Sequence, residues 1–351
     1  MPEEVALYRK YRPAKFKDVL GQDHVVDALE GAIKEGRTGH AYLFYGSRGT
    51  GKTSVARIFA RALGASDTDI HEIDAASYTG VDHIRELRDE VSVMPFAGER
   101  KVYIVDEVHM LSKSAFNAFL KTLEEPPAHV VFILATTELE KVPDTIRSRC
   151  QTFTFKKPTT KAVAEMVTKV AKAEGFTLEK ASAELIALLA TGSFRDALST
   201  LQKILVSSSD KKVSVAEVEA ITGAPKGELV RRVLEALAKG NAKDALAAVG
   251  EAVEANADME LFSLLLLDRA RLALLLRYSA DFAKDLIDDL PEADKEAVKG
   301  LAKDAESRLN SETLKKLIEA SIAASRAPVP HLPLELAIME LAEMEQKTVD
   351  R

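Results

Sequence analysis

Gly46, Ser47, Arg48, Gly49, Thr50, Gly51, Lys52 and Thr53 place two glycines four residues apart, followed directly by a lysine and a threonine. The spacing suits phosphate. Glycines let the backbone turn so that successive N–H groups face anionic oxygens. Lys52 brings a compact positive charge to the outer phosphates, and the Thr53 hydroxyl can ligate Mg²⁺. A second feature, Asp106 followed by Glu107, closes an apolar run. With a phosphate loop upstream, such a carboxylate pair meets the needs of Mg²⁺-dependent hydrolysis. Asp106 would orient the metal, directly or through water, and Glu107 would polarise the attacking water. Taken singly, a glycine-rich turn and a solvated acidic turn are the plainer readings; together they point to a nucleotide.

The flanking residues supply the elements that such chemistry requires. Residues 40–45 read as a buried strand entering the loop, and 53–63 have helical spacing leaving it, so a helix N-terminus faces the phosphates. Further strands are predicted at 70–73 and 101–105, with a loop over 74–80 and a helix over 81–93. Residues 114–123 read as a helix that stops before Pro126 and Pro127. The apolar run 130–135 fits a central parallel strand and ends in Thr136 and Thr137. Ligands of open α/β sheets bind at the carboxyl ends of strands, so three strand ends converge on one site. Arg147 and Arg149 precede a short strand at 151–155; they are ordinary surface charges, or they stabilise phosphate charge in a neighbouring subunit. At the start, residues 5–20 are basic, aromatic and interrupted by Pro13, which favours a shaped loop over a helix. That arm either only packs or covers the base of a nucleotide. A helix is predicted over 23–35.

The remainder of the chain is of another kind. From Thr159 onward only helical periodicity is visible, with segments near 159–174, 179–190, 194–207 and 214–221 and amphipathic helices over 228–347. Arg195 lies in the first turn of one of these helices, where it opposes the helix dipole, so its placement suggests a use other than helix stability. The apolar stretch 261–276 carries Asp268, Arg269 and Arg271, which favours a bundle core over a membrane. Boundaries at about 158 and 223 divide the chain into 1–158, 159–222 and 223–351. The composition agrees: 351 residues, 46% hydrophobic, no Trp, and a net charge of −7 that does not advertise nucleic-acid binding but leaves room for a local basic face. A single cysteine, Cys150, excludes intramolecular disulfides and a thiolate zinc cluster, and the expected compartment is the cytoplasm.

Taken together, these residues resemble the clamp-loader ATPases of the AAA+ class, specifically the gamma/tau family of bacterial DNA polymerase III, along nearly the whole chain. The resemblance rests on 8–13 with 16–22, on 46–53, 74–77, 106–112, 116–127, 135–137, 148–150 and 192–198. It implies an α/β plus all-α architecture: an AAA+ parallel-sheet domain with the phosphate loop, a small helical lid, and a helical collar that holds a ring together. ATP and Mg²⁺ are the implied ligands. Tyr8, Arg12, Pro13, Val19 and Leu20 would line the adenine and ribose pocket. The phosphate-binding residues would run from Gly46 through Ser54, with Thr53 and Asp106 at the metal. Thr136 or Thr137 would sense the γ-phosphate, and Arg195, beside Phe194, would be the second sensor. Arg149 would be an arginine finger given to a neighbouring subunit, and Lys121 and Lys141 would meet template backbone. Implied partners are copies of the chain, delta-type and delta-prime-type subunits, a sliding clamp and primer–template DNA, with no membrane.

Two departures from the family pattern bear on function. The family usually carries a four-cysteine zinc module after the phosphate-loop helix; here that place holds only residues 64–69, so no zinc is expected. Family members also often carry a polymerase- and helicase-recruiting tail; the resemblance leads to the expectation of a short, gamma-like form, which leaves those two partnerships open. A non-hydrolysing structural subunit should show a degraded loop or a missing carboxylate pair, and both are intact. A replication factor C-like or branch-migration AAA+ protein fits the zinc-free middle, but residues 106–112 and 123–127 argue against it. Polymerisation of nucleotides is not expected of a single site of this type.

Overall fold

Three apolar runs, β1 (Ala41–Tyr45), β3 (Lys101–Asp106) and β4 (Val130–Thr136), form the interior of one sheet. The more polar β2 (Ile70–Asp74) and β5 (Gln151–Thr154) lie at its edges, giving the order β2-β3-β4-β1-β5 with every pair parallel. The computed structural model describes residues 5–77, 87, 90–208, 210–288 and 290–349. The helix expected over 81–93 lies largely outside the described residues.

The strand alternation divides the core into two layers. Leu43, Tyr103, Val105, Phe132 and Leu134 pack with Phe116 and Phe119 of the helix Lys113–Glu124. Tyr42, Phe44, Val102, Ile104, Val131 and Ile133 pack with Val55 and Phe59 of the helix Lys52–Ala62, and with Val25 and Leu29 of the helix Asp23–Lys34. Here α1 is Leu7–Lys10, α2 is Asp23–Lys34 and α3 is Lys52–Ala62. Each such fully buried Leu, Ile or Phe is worth about 2 kcal/mol over an exposed one. Edge-to-face contacts fix the registry of helix on sheet: Phe119 on Phe132 at 5.1 Å and Tyr42 on Phe59 at 4.8 Å.

The chain leaves β1, makes β2 at the far edge, returns through β3 and β4, and then lays β5 on the other side of β1. Register places Tyr45 opposite Thr136, and Asp74 opposite Asp106. The strand ends singled out by sequence therefore sit along one sheet edge.

The chain forms two compact units, one of residues 1–163 with 190–199 and one of 164–189 with 200–351. The second unit corrects the expectation of helices alone. Thr177–Leu178 and Lys212–Val213 pair as a short parallel ladder, with the Ser182 hydroxyl donating to the Val213 carbonyl at 3.1 Å. Two-residue strands are too short to leave a period-two pattern in the sequence. In the N-terminal arm, α1 is a single helical turn and Phe16–Asp18 a 3₁₀ turn, so the predicted loop contains two local turns.

The predicted apolar segment lies within the helix Met259–Tyr278, whose Phe262, Leu266, Ala270 and Ala273 are fully buried. Among the described residues, no helix is long and apolar enough to cross a membrane.

Candidate nucleotide site

Steric limits fix the phosphate loop before any ligand is considered. A Cβ at Gly46 would lie 2.6 Å from the Phe155 carbonyl oxygen, so that approach is open only to glycine. At Gly49 the backbone is left-handed (φ +74°), and a Cβ would meet the Ser193 hydroxyl at 1.9 Å. The Phe194 N–H also donates to the Gly49 carbonyl at 3.1 Å, so the segment bearing Phe194 and Arg195 is fastened to the loop. Within the loop, the Thr50 hydroxyl donates to the Ser47 carbonyl at 2.9 Å. Ser47 and Arg48 are exposed, and Gly51 caps α3, whose first residues are Lys52, Thr53 and Ser54.

Lys52 is nearly buried, at 6% exposure, and its Nζ donates to the Gly46 and Ser47 carbonyls at 2.7 and 3.0 Å. Burial pulls its pKa down, and the Glu107 and Asp106 carboxylates oppose that shift without cancelling it. The carboxylate pair sits where β3 ends. Thr53 Oγ1 donates to Asp106 Oδ2 at 2.8 Å, joining the start of α3 to the end of β3. Glu107 has left-handed backbone (φ 49°), uncommon for a residue with a side chain and typical of functional positions.

The two threonines at the end of β4 have different surroundings. Thr137 Oγ1 donates to Glu107 Oε2 at 3.0 Å. Thr136 is fully buried; its Oγ1 accepts from the Glu138 N–H at 3.1 Å and lies 3.0 Å from His109 Nδ1. Thr137 thus faces the Glu107 carboxylate, while Thr136 is engaged within the fold.

Cations gather around the loop. Arg12 is half-buried; burial lowers its pKa first, then the charges of Arg57 and Arg195, while Glu72 and Asp106 oppose. The Arg195 guanidinium lies 5.0 Å from the centre of the Tyr8 ring, and Arg9 chiefly, with Arg195, lowers the pKa of the Tyr8 hydroxyl. Val19 packs on the core beside Phe16, whereas Leu20 is 43% exposed and offers apolar surface. Pro13 is partly exposed. Arg149 is not gathered with these residues: its guanidinium donates to the Thr145 carbonyl at 2.8 Å and to Glu124 at 2.5 Å. Lys141 pairs with Glu138 at 2.7 Å, and Lys121 is exposed.

Gln22 and Ser193 acquire positioning roles that sequence spacing did not reveal. Gln22 is fully buried; its amide donates to the Lys156 carbonyl at 2.7 Å and accepts from the Lys156 N–H at 3.0 Å. It thereby ties the start of α2 to the strand-end segment that carries Phe155 against Gly46. Only its place beside Gly21 in the motif could have drawn attention to it.

This donor set fits a nucleoside triphosphate with Mg²⁺. Only glycine fits the loop at Gly46 and Gly49, an ammonium is held at its centre, and a hydroxyl and a carboxylate meet where a divalent cation needs oxygen ligands. Among the described residues, no cluster of three or more His, Cys, Asp or Glu could hold a metal ion by itself.

The sequence matches known families. Residues 21–78 and 65–159 match the family described as DNA polymerase III, delta subunit, and residues 213–350 match that described as DNA polymerase III subunits gamma and tau domain III. The chain is 45% identical to DNA polymerase III subunit tau of Bacillus subtilis, over 72% of this chain and 48% of that protein. With DNA polymerase III subunit gamma/tau of Mycobacterium tuberculosis the identity is 36%, over 96% of this chain and 62% of the relative. The subunit tau of Escherichia coli is 41% identical, over 72% and 43%. The chain thus spans about half the length of the curated relatives it matches. Among solved structures, the Thermotoga maritima RuvB Holliday junction branch migration motor superposes with a TM-score of 0.52 at 23% identity, covering 65% of this chain and 79% of that one. That likeness bears on the fold alone. With more than a third of its residues identical to a relative along nearly its whole length, the chain belongs to the gamma/tau subunit family of bacterial DNA polymerase III, built on an AAA+ fold.

Proposed function

We propose that the chain is an ATP-hydrolysing subunit of a clamp loader, coupling ATP binding and hydrolysis to the placement of a sliding clamp on primed DNA. The observation that carries this reading is the meeting of Thr53, Asp106, Glu107 and Thr137 at one sheet edge beside Lys52. In this reading the loop N–H groups and Lys52 bind the β- and γ-phosphates, and Tyr8, Arg12, Pro13, Val19 and Leu20 hold the base and ribose. Thr53 and Asp106 would hold Mg²⁺, which supplies positive charge against the phosphate oxygens. Glu107 accepts a proton as water attacks the γ-phosphorus and the bond to the β–γ bridging oxygen breaks. Thr137 fixes Glu107 and senses the γ-phosphate. Arg195 contacts the same phosphates, and Arg149 stabilises their developing charge in a neighbouring copy.

Residues 159–222 serve as the lid and 223–351 as the collar in this assignment. The partners are further copies of the chain, delta-type and delta-prime-type subunits, the clamp and primer–template DNA, in the cytoplasm. An intact Glu107 favours hydrolysis over a purely structural subunit.

The test is steady-state ATPase activity with and without primed DNA and sliding clamp. Lys52→Ala should abolish nucleotide binding, and Glu107→Gln should bind ATP but stall. Stimulation by DNA and clamp should vanish in Arg149→Ala while ATP affinity stays unchanged. Activity indifferent to DNA and clamp would move the assignment to another AAA+ remodelling role.

A further inference from the structure

We infer that His109 is a positioning residue that holds the Glu107 carboxylate in its water-polarising orientation. The inference deepens the proposed ATPase reading and rests on it. His109 lies in the 3₁₀ turn Val108–Met110, directly after Glu107, and its side chain is only 6% exposed. Burial of an imidazole needs polar partners, and both ring nitrogens have them. Nδ1 lies 3.0 Å from Thr136 Oγ1 and 3.4 Å from Glu107 Oε2. Nε2 lies 3.2 Å from Glu138 Oε1, and Glu138 is itself held by Lys141 at 2.7 Å.

The hydrogens can be assigned around Thr136. Its Oγ1 accepts from the Glu138 N–H at 3.1 Å and donates to the Glu138 carbonyl at 3.3 Å. With that proton committed, an Nδ1–H donates to the threonine oxygen, and Glu107 Oε2 lies 3.4 Å from the same nitrogen. The ring is therefore held to the end of β4 through Thr136, and its other nitrogen faces the Glu138 carboxylate just beyond that strand. Glu107 needs such support. Its backbone is left-handed, and among the described residues its side chain has one short hydrogen bond, from Thr137 to Oε2. A single bond leaves the carboxylate plane free to swing. The imidazole, with Nδ1 3.4 Å from the same oxygen, limits that swing from a second side. His109 and Thr137 thus hold Glu107 from two sides, both referred to the end of β4.

The bland alternative is that His109 only fills space under the turn. Steady-state kinetics of the full chain with DNA and clamp separate the two, using His109→Leu, which fills volume without a donor, and His109→Asn, whose amide nitrogen can take the place of Nδ1. For Leu, kcat should fall roughly tenfold to a hundredfold, as expected for a misplaced catalytic group. KM and ATP affinity should stay within about twofold of wild type, since the phosphate loop is untouched. The Asn variant should recover most of the lost rate. Wild-type kcat in the Leu variant, or equal losses in Leu and Asn, overturns the inference. Glu107→Gln serves as the control. If it turns over normally, the reading of Glu107 fails; if it stalls while His109→Leu does not, only the role of His109 fails. Combining His109→Leu with Glu107→Gln should slow the enzyme no further than Glu107→Gln alone.

Discussion

Thr53 and Asp106 are 53 positions apart in the chain, yet Thr53 Oγ1 donates to Asp106 Oδ2 at 2.8 Å, so the first turn of α3 and the end of β3 share one polar contact. A hydroxyl and a carboxylate held at that distance are both oxygen ligands in waiting for a hard divalent cation. Thr53→Ala removes one ligand and leaves the Lys52 contacts intact. ATP affinity in Mg²⁺ should therefore weaken by roughly tenfold, about 1.4 kcal/mol. Affinity in EDTA should hardly change. Calorimetric titration in both buffers checks this, and equal losses in the two would remove Thr53 from the metal.

Gly49 gives a steric prediction. An alanine there would combine left-handed backbone with a Cβ 1.9 Å from the Ser193 hydroxyl and 2.8 Å from its Cβ. Gly49→Ala should cost at least about 1–2 kcal/mol of stability from the backbone alone. It should also displace the segment carrying Arg195. Adding Ser193→Gly should recover the steric part and leave the backbone part. Thermal melts of the single and double variants measure the two, and full recovery in the double would mean that the backbone strain is negligible.

Much of this site could be read from the chain, and the exceptions share a cause. Lys52, Asp106 and Thr137 follow apolar strands whose ends a parallel sheet must place together, so local pattern and topology agree. Which of Thr136 and Thr137 faces Glu107 could not be read, because adjacent strand residues point to opposite faces and only the assembled sheet says which face carries the site. Gln22 and Ser193 act across 134 and 144 positions, on Lys156 and Gly49 respectively, and no local spacing encodes such contacts. The pairing of Thr177–Leu178 with Lys212–Val213 escaped for want of length. Arg195 is the intermediate case. Its awkward position in a first turn was visible, but its closeness to Tyr8 required the fold.

Asp69 gives the pH-dependent prediction. Its buried carboxylate accepts from the Ser66 hydroxyl and from the N–H groups of Phe96, Ala97 and Gly98 at 2.5–3.0 Å. Burial alone would raise its pKa; the four hydrogen bonds outweigh it and hold the group well below the usual carboxylate range. A depressed folded pKa means that the stabilisation is complete above the unfolded value, near ~4, and is lost as pH falls below it. Asp69→Asn points an amide N–H₂ at backbone donors and should cost about 2 kcal/mol at pH 7. That difference should shrink as pH falls below about 4. Denaturant titrations at pH 7 and pH 3 decide the matter, and a gap that is constant or widens toward acid would contradict the assignment.

The helical unit rests in part on one carboxylate. Asp294 accepts from Arg231 at 2.6 Å and from the Arg269 Nε at 3.0 Å, linking the helices Gly227–Ala238, Met259–Tyr278 and Glu292–Lys303. Arg269 is 7% exposed, and its remaining acidic partner is Asp268, at 2.6 Å. Removing one member of a buried ion pair leaves a desolvated charge behind, which costs about 3–5 kcal/mol. Asp268 still offsets part of the Arg269 charge, so Asp294→Ala should fall at the lower end of that range. None of these groups belongs to the nucleotide site, so ATP affinity measured well below the melting transition should be unchanged. A melt unaffected by Asp294→Ala would mean that apolar packing around Phe262 and Leu266 carries the unit without the ionic contact. A fall in stability together with a loss of ATP affinity would mean instead that the helical unit and the nucleotide site are energetically coupled.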